Sequence, residues 1–360
     1  MNIATARLLA FDILLKVESG GYASDLLLTH SASLDARDAG LAAEIVFGVL
    51  RYRAQLDFLI EHHSGRARKL DLAVRIALRM GFYQIRYLER VPPHAAVKDS
   101  VELVKRAHKT SAAGFVNALL RQAHRDPVAW PTREIELSCP EWLLARWEAA
   151  YGAETAAGIA LAALREPEKY VRISPAGDRT QDIGSQSIVP LLGLAPGLRF
   201  LDLCAAPGNK TAQALEAGVH AVAADVHFHR LVQMKSLTSL LVVLDGTRPL
   251  PFARPFDRIL VDAPCSGTGT LGRNPEIKWR LKPEDLDDLQ ARQRALLANA
   301  FAMLAPGGLL VYSTCSLEPE ENEEVVGQAV PPAGFVADTM RRIPGRDPGD
   351  GFYACVIKSV

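Results

Sequence analysis

The chain has no apolar run near the roughly 18 residues that a membrane-spanning helix needs, so no membrane partner is expected. It also lacks a secretory signature. Met1 to Val17 carries acidic Asp12 and no cleavage-site pattern, so no signal peptide is expected. Paired cysteines are missing: Cys139, Cys204, Cys265, Cys315 and Cys355 are odd in number, widely spaced and without a CxxC. That argues against a disulfide framework or a bound metal and fits a reducing cytoplasm. Net charge is absent too, with 41 Lys/Arg against 41 Asp/Glu, yet the signs are unevenly spread. Residues 1–130 hold 18 basic and 13 acidic side chains, and residues 131–360 hold 23 and 28. A basic first part points to a polyanion partner, against the plainer reading of a solubilising surface.

What is present is a folded composition, 49% hydrophobic and 23% charged, over 360 residues, enough for two or three domains. Residues 1–126 read as helices throughout. Ala6, Leu9, Ala10, Ile13 and Leu14 recur at helical spacing and stop at Gly20-Gly21; the pattern returns over 35–53, 56–63, 72–88, 95–107 and 111–124. Pro92-Pro93 ends the fourth run. This predicts an all-α N-terminal bundle. Arg66, Arg68 and Lys69, then Lys105, Arg106 and Lys109, cluster at its turns, and Arg86 and Arg90 lie one helical turn apart. Residues 127–182, punctuated by Pro127, Pro131 and Pro140, read as a connector with a helix over 141–162 interrupted near Gly152 and a short strand at 170–173.

Residues 183–360 read as an α/β domain. Strands are expected at 198–203, 221–225, 241–245, 259–261 and 309–314, with helices at 210–217, 227–237 and 286–304 between them and closing strands at 335–339 and 352–357. Alternation of this kind predicts a mostly parallel, doubly wound, Rossmann-like sheet with ligands beyond the carboxyl ends of its strands. At that edge stand Asp262-Ala263-Pro264-Cys265-Ser266-Gly267 and Ser313-Thr314-Cys315-Ser316.

The first strand runs into Asp202-Leu203-Cys204-Ala205-Ala206-Pro207-Gly208-Asn209-Lys210. Small residues between strand and helix let a ligand approach the backbone. The loop is not a P-loop, because Cys204 and Asn209 occupy the positions that motif gives to glycine. A GxGxxG occurs at Gly267–Gly272, but Arg273-Asn274-Pro275 follows where a dinucleotide site needs a helix, so it reads as a chance match. Asp225, Asp245 and Asp262 each close a strand. Such a carboxylate, when not a cap or turn residue, can accept from ribose hydroxyls. An adenosine ligand without phosphates fits S-adenosyl-L-methionine, held by Cys204–Lys210, Asp225, Asp245 and Asp262.

Together these segments, with Glu318-Pro319-Glu320-Glu321-Asn322-Glu323, resemble the motif series of the Sun-family RNA (cytosine-5) methyltransferases. The N-terminal half adds an independent likeness. Phe47-Gly48-Val49-Leu50-Arg51, Arg90-Val91-Pro92-Pro93-His94-Ala95-Ala96-Val97 and Gly114-Phe115-Val116-Asn117-Ala118-Leu119-Leu120-Arg121 resemble the NusB-like RNA-binding domain. The resemblance covers nearly the whole chain and implies an enzyme that methylates C5 of a cytosine in 16S ribosomal RNA; a monomer is expected. It departs at Asn209, where the family carries glycine and where tolerance of positive φ would keep the loop's shape, and in the short stretches 173–181 and 236–240.

Cytosine C5 is a poor nucleophile until a thiolate adds at C6. Spacing alone leaves open which of Cys265 and Cys315 attacks, and the plain alternative is two buried apolar cysteines. The resemblance implies that Cys315 attacks, that Cys265 assists release, and that Asp262 engages the cytosine edge, with Lys210 positioning groups. The target base would have to leave its stack. A non-catalytic RNA-binding factor and a dinucleotide oxidoreductase are the alternatives.

Overall fold

Helical periodicity becomes structure directly in the first third of the chain. α1 (Thr5–Glu18) buries Ala6, Ala10, Ile13, Leu14 and Val17 on one stripe and ends before Gly20, whose φ of 104° only glycine adopts freely. α2 (Ala23–His30) follows, a helix absent from the sequence reading; it buries only Ala23 and Leu27, too few to show a period. α3 (Ala36–Arg51) is capped by Asp35, whose side chain accepts from the Asp38 amide. α4 (Arg53–Ser64) and α5 (Leu72–Tyr87) come next, the latter capped by Asp71. α6 (Pro93–Arg106) starts on the proline expected to stand outside it, because the first helical position needs no N–H. α7 (Ala113–Leu120) is shorter than the spacing suggested. Gly48 lets α3 meet α5: a Cβ there would lie 1.8 Å from Tyr83 Cζ.

This computed structural model describes residues 3–64, 70–123, 125–175, 177–238 and 240–360. The predicted basic cluster Arg66, Arg68 and Lys69 lies outside them. The described part forms two units, one of Met1–Ala149, Ala160–Glu166 and Leu271–Arg280, the other of Ala150–Ile159, Pro167–Thr270 and Leu281–Val360.

The ten residues Leu271–Arg280 belong to the helical unit although they fall inside the stretch read as α/β. Trp279 Nε1 donates to the Leu50 carbonyl (2.7 Å) and Lys278 Nζ to that of Arg51 (3.0 Å). Arg51 in turn donates to the Gly272 carbonyl (2.9 Å), and Glu276 accepts from the Ala23 amide (2.9 Å). Lys278 is buried, and burial lowers its pKa to about 8.

The other unit carries a seven-stranded sheet: β1 (Arg199–Asp202), β2 (His220–Asp225), β3 (Leu241–Val243), β4 (Phe256–Asp262), β5 (Leu304–Thr314), β6 (Gly334–Arg342) and β7 (Phe352–Ser359). Their order is β3-β2-β1-β4-β5-β7-β6. β1 to β5 are parallel, while β7 runs antiparallel to β5 and β6 antiparallel to β7. Ile259, Leu260 and Val261 are fully buried, as an apolar run in a two-sided sheet should be. The order reverses between β1 and β4, the place where open sheets bind ligands. The predicted helix over 227–237 shortens to Phe228–Leu231 and a 3₁₀ turn. The short strand Val171–Arg172 pairs with Arg179–Thr180.

Candidate active site at the carboxyl edge of the sheet

Register decides which side chains meet. β1 and β4 pair Asp202 with Leu260, and β4 and β5 pair Asp262 with Ser313, so three strand ends finish side by side. Ser313 Oγ donates to Asp262 Oδ1 (2.8 Å) and Lys210 Nζ to Oδ2 (2.6 Å). Burial alone would lower the Lys210 pKa; the Asp262 carboxylate outweighs it and holds the ammonium above its ordinary value. Beyond these ends Cys265 Sγ lies 3.3 Å from Cys315 Sγ. The hydrogen bond with Cys315, then burial, push the Cys265 thiol well above its usual pKa. The structure therefore brings Cys265, Cys315, Asp262 and Lys210 together.

The loop after β1 is shaped by Gly208, not Asn209. Gly208 has φ 103°, while Asn209 is the first residue of the helix Asn209–Leu215. The expected need for positive φ at Asn209 does not arise. A Cβ on Gly208 would meet Met234 Cε at 3.0 Å and Leu237 Cδ1 at 2.9 Å. Burial raises the Cys204 thiol well above its usual pKa. Asp225 is buried and grips this loop: it accepts from the Ala206 amide (3.1 Å) and from the His227 amide (2.8 Å). Ala205, Ala206 and Pro207 are thus held against the end of β2.

Asp245 is elsewhere. β3 stops at Val243, and Asp245 sits exposed in a turn, accepting from the Thr247 hydroxyl (2.6 Å) and amide (3.0 Å). The Thr247 hydroxyl, then its amide, hold the Asp245 carboxyl below its usual pKa. The Gly267–Gly272 segment forms a 3₁₀ turn at Thr268–Thr270 and no helix, and Gly269 packs against the Gly351 and Cys315 carbonyls. That is not a dinucleotide fingerprint.

Two residues escaped the sequence reading of the site. Asp202 is buried, accepts from Thr211 Oγ1 (2.6 Å) and leaves Oδ1 with no hydrogen-bond partner. Burial raises its pKa to about 7. Its place at the head of the Asp202–Gly208 motif was the available signal. Glu321 is fully buried and accepts from the Ser266 amide (2.8 Å), Gln293 Nε2 (2.8 Å) and the Ser266 and Ser316 hydroxyls. Its only signal was membership of Glu318–Glu323.

A methyl sulfonium cofactor fits this edge: an orphaned buried carboxylate oxygen, a loop kept open by a glycine, and acidic groups suited to a cation and a ribose. Among the described residues no helix is long and apolar enough to cross a membrane, and no cluster of ligating side chains could hold a metal.

Of the basic residues singled out in the helical unit, Lys105 pairs with Glu102 (2.7 Å), Lys109 with Asp71 (2.8 Å) and Arg106 with Asp12 (3.8 Å). Arg86 donates to the Asp126 carbonyl (2.9 Å), and Arg90 is exposed. Residues of two of the three NusB-like segments, His94, Val97, Asn117 and Arg121 among them, line a concavity of about 570 Å³.

Comparison with known proteins agrees on both halves. Residues 189–337 match the family described as 16S rRNA methyltransferase RsmB/F, and residues 4–125 match the NusB family. The ribosomal RNA small subunit methyltransferase B of Pectobacterium atrosepticum is 32% identical over 95% of this chain and 96% of its own length. That of Citrobacter koseri is 32% identical over the same shares. The crystal structure of PH0851 shares the fold, with a TM-score of 0.80 at 20% identity over 100% of this chain and 99% of its own. The chain therefore belongs to the ribosomal RNA small subunit methyltransferase B family, whose members are S-adenosylmethionine-dependent ribosomal RNA methyltransferases.

Proposed function

We propose that the protein methylates C5 of a cytosine in 16S ribosomal RNA through a covalent adduct between Cys315 and C6. The observation that carries this reading is the pair of thiols 3.3 Å apart beside a lysine–aspartate pair at one sheet edge. Two strand-end thiols in contact suit a reaction that needs one sulfur to add and another group to manage the proton.

Cys315 Sγ adds to C6, and C5 gains the electron density of an enamine. Asp262, held by Lys210 and Ser313, accepts a hydrogen bond from the exocyclic amine of the ring. When bound, S-adenosylmethionine supplies an electrophilic methyl group to C5. Cys265 takes part in removing the C5 proton, and the electron pair of that C–H bond re-forms the ring double bond as Cys315 leaves. Cys204 to Lys210, with Asp225 and Asp262, would hold the cofactor; Asp202 would face its cationic end, and Asp245 would lie at the margin. The base is presented out of its stack. The helical unit would supply contacts to RNA phosphates, and the protein would work as a monomer in the cytoplasm, where its five free thiols stay reduced.

The test is transfer of tritium from methyl-labelled S-adenosylmethionine to small-subunit ribosomal RNA, with digestion to identify the base. Label in 5-methylcytidine supports the reading. Label on another base or at another atom overturns it.

A further inference from the structure

We propose that Glu321 is a positioning residue that sets the two thiols against each other by clamping the residue that follows each of them. The proposal rests on the two-thiol reading of the reaction, but its geometry stands apart from the substrate. Ser266 follows Cys265 and Ser316 follows Cys315. One carboxylate collects both. Glu321 Oε1 accepts from the Ser266 amide at 2.8 Å, and Oε2 accepts from the hydroxyls of Ser266 and Ser316. The two hydroxyls are also within 3.1 Å of each other.

The clamp is itself held from behind. Gln293 donates at 2.8 Å to Glu321 Oε1 and at 2.9 Å to the carbonyl of Pro264, the residue before Cys265. The Tyr312 hydroxyl donates to the Glu321 carbonyl at 2.7 Å. Asn322, next in sequence, accepts from Thr314 Oγ1 at 2.6 Å and donates to the Ser316 carbonyl at 3.0 Å. Both cysteines are thus flanked on each side by groups tied to Glu321 or its neighbour. The carboxylate, Gln293 and Ser316 are almost wholly out of water, where charge-assisted hydrogen bonds hold their geometry best and an unpaired partner is costly. The arrangement fixes where the two sulfurs stand. The Cys265 thiol is raised first by its hydrogen bond with Cys315, then by burial, and the Glu321 charge adds to this.

Two readouts on the full-length protein test this. The first is single-turnover methylation. The second is the rate at which diamide closes a Cys265–Cys315 disulfide: the thiols give up two protons and two electrons, and the azo bond becomes a hydrazine. Peptide mapping separates this bridge from the other cysteines. Glu321→Ala should slow methylation about 100-fold, the usual cost of a misplacement near 1 Å, without changing KM for RNA. It should slow disulfide closure at least about tenfold, as expected when two thiols drift apart. Glu321→Gln keeps an acceptor for the Ser266 amide and a donor for both hydroxyls, so it should recover most of both rates.

Wild-type rates of disulfide closure or of methylation in Glu321→Ala overturn the proposal. So does a Glu321→Gln variant as slow in methylation as Glu321→Ala while its disulfide closes normally, which would assign the role to charge. If Glu321→Ala does not fold, judged by circular dichroism, Ser266→Ala/Ser316→Ala decides by the same two rates. If the disulfide rates follow the expected order but no 5-methylcytidine forms even with the wild-type protein, the clamp stands and the proposed reaction fails.

Discussion

Cys265 and Cys315 follow the ends of neighbouring parallel strands, and by sequence they look interchangeable. Their surroundings differ. Cys315 directly follows β5, whereas Cys265 lies three residues beyond β4 and is pushed well above its ordinary pKa, first by its hydrogen bond with Cys315 and then by burial. The acids at the other side of the edge show the same inequality. Asp225 is buried and holds the loop after β1; Asp245 is exposed in a turn of its own. Equal residue types beyond neighbouring strands thus acquire different surroundings.

The sharpest way to break the comparison is to remove each thiol. Cys315→Ala is expected to form no adduct and to lose turnover entirely. Cys265→Ala is expected to attack, methylate once and stall, giving a slow RNA-linked band on a denaturing gel. The band should vanish in the double variant. A band with Cys315→Ala and none with Cys265→Ala would exchange the two roles.

Next in size is Asp225→Ala. It removes the acceptor that ties down Ala206 and a candidate ribose ligand. One to two charge-assisted hydrogen bonds at roughly 1.5–3 kcal/mol each should be lost from cofactor binding. Calorimetry with unchanged affinity would refute the assignment.

Asp202 gives a pH signature of intermediate size. Its carboxyl, at about 7 in the fold, stands above an unfolded value of roughly 3.9. It therefore stabilises the fold fully below pH about 4, and that contribution is lost as pH rises through about 7. Thermal unfolding of the cofactor-free protein should show Tm falling between about pH 5 and 8, and Asp202→Asn should flatten the fall. Equal slopes in both proteins would count against a titrating Asp202.

The smallest effect is expected at Asp245. Because its carboxylate is spent on Thr247 and open to solvent, Asp245→Ala should change cofactor affinity by less than about threefold, in keeping with surface substitutions. A loss as large as that of Asp225→Ala would put the two acids on one footing.

The sequence showed these strand ends because chemistry-bearing residues broke clean apolar runs, as Asp262 to Gly267 does after Ile259–Val261. Long helices such as α3 and α5 were legible because their buried faces repeat over four turns. α2 was not, since two buried residues make no period. Asp202 was hidden by the same local regularity that marks its motif: only burial shows its Oδ1 without a partner. Glu321 was hidden by distance, with Ser266 55 residues away. In a run of acids where Glu318 is buried as fully as Glu321, nothing local distinguishes the carboxylate that binds both serines.

The segment Leu271–Arg280 has a consequence for biogenesis. Trp279, Lys278 and Glu276 satisfy backbone groups of Leu50, Arg51 and Ala23 in the helical unit. Translation delivers those groups first and their partners roughly 120 residues after Ala149, a wait of about 6–25 s at about 5–20 residues per second. Until then the nascent helical unit presents unsealed carbonyls and the seat of a buried lysine. Its completion therefore follows synthesis of the chain through β4 and Cys265.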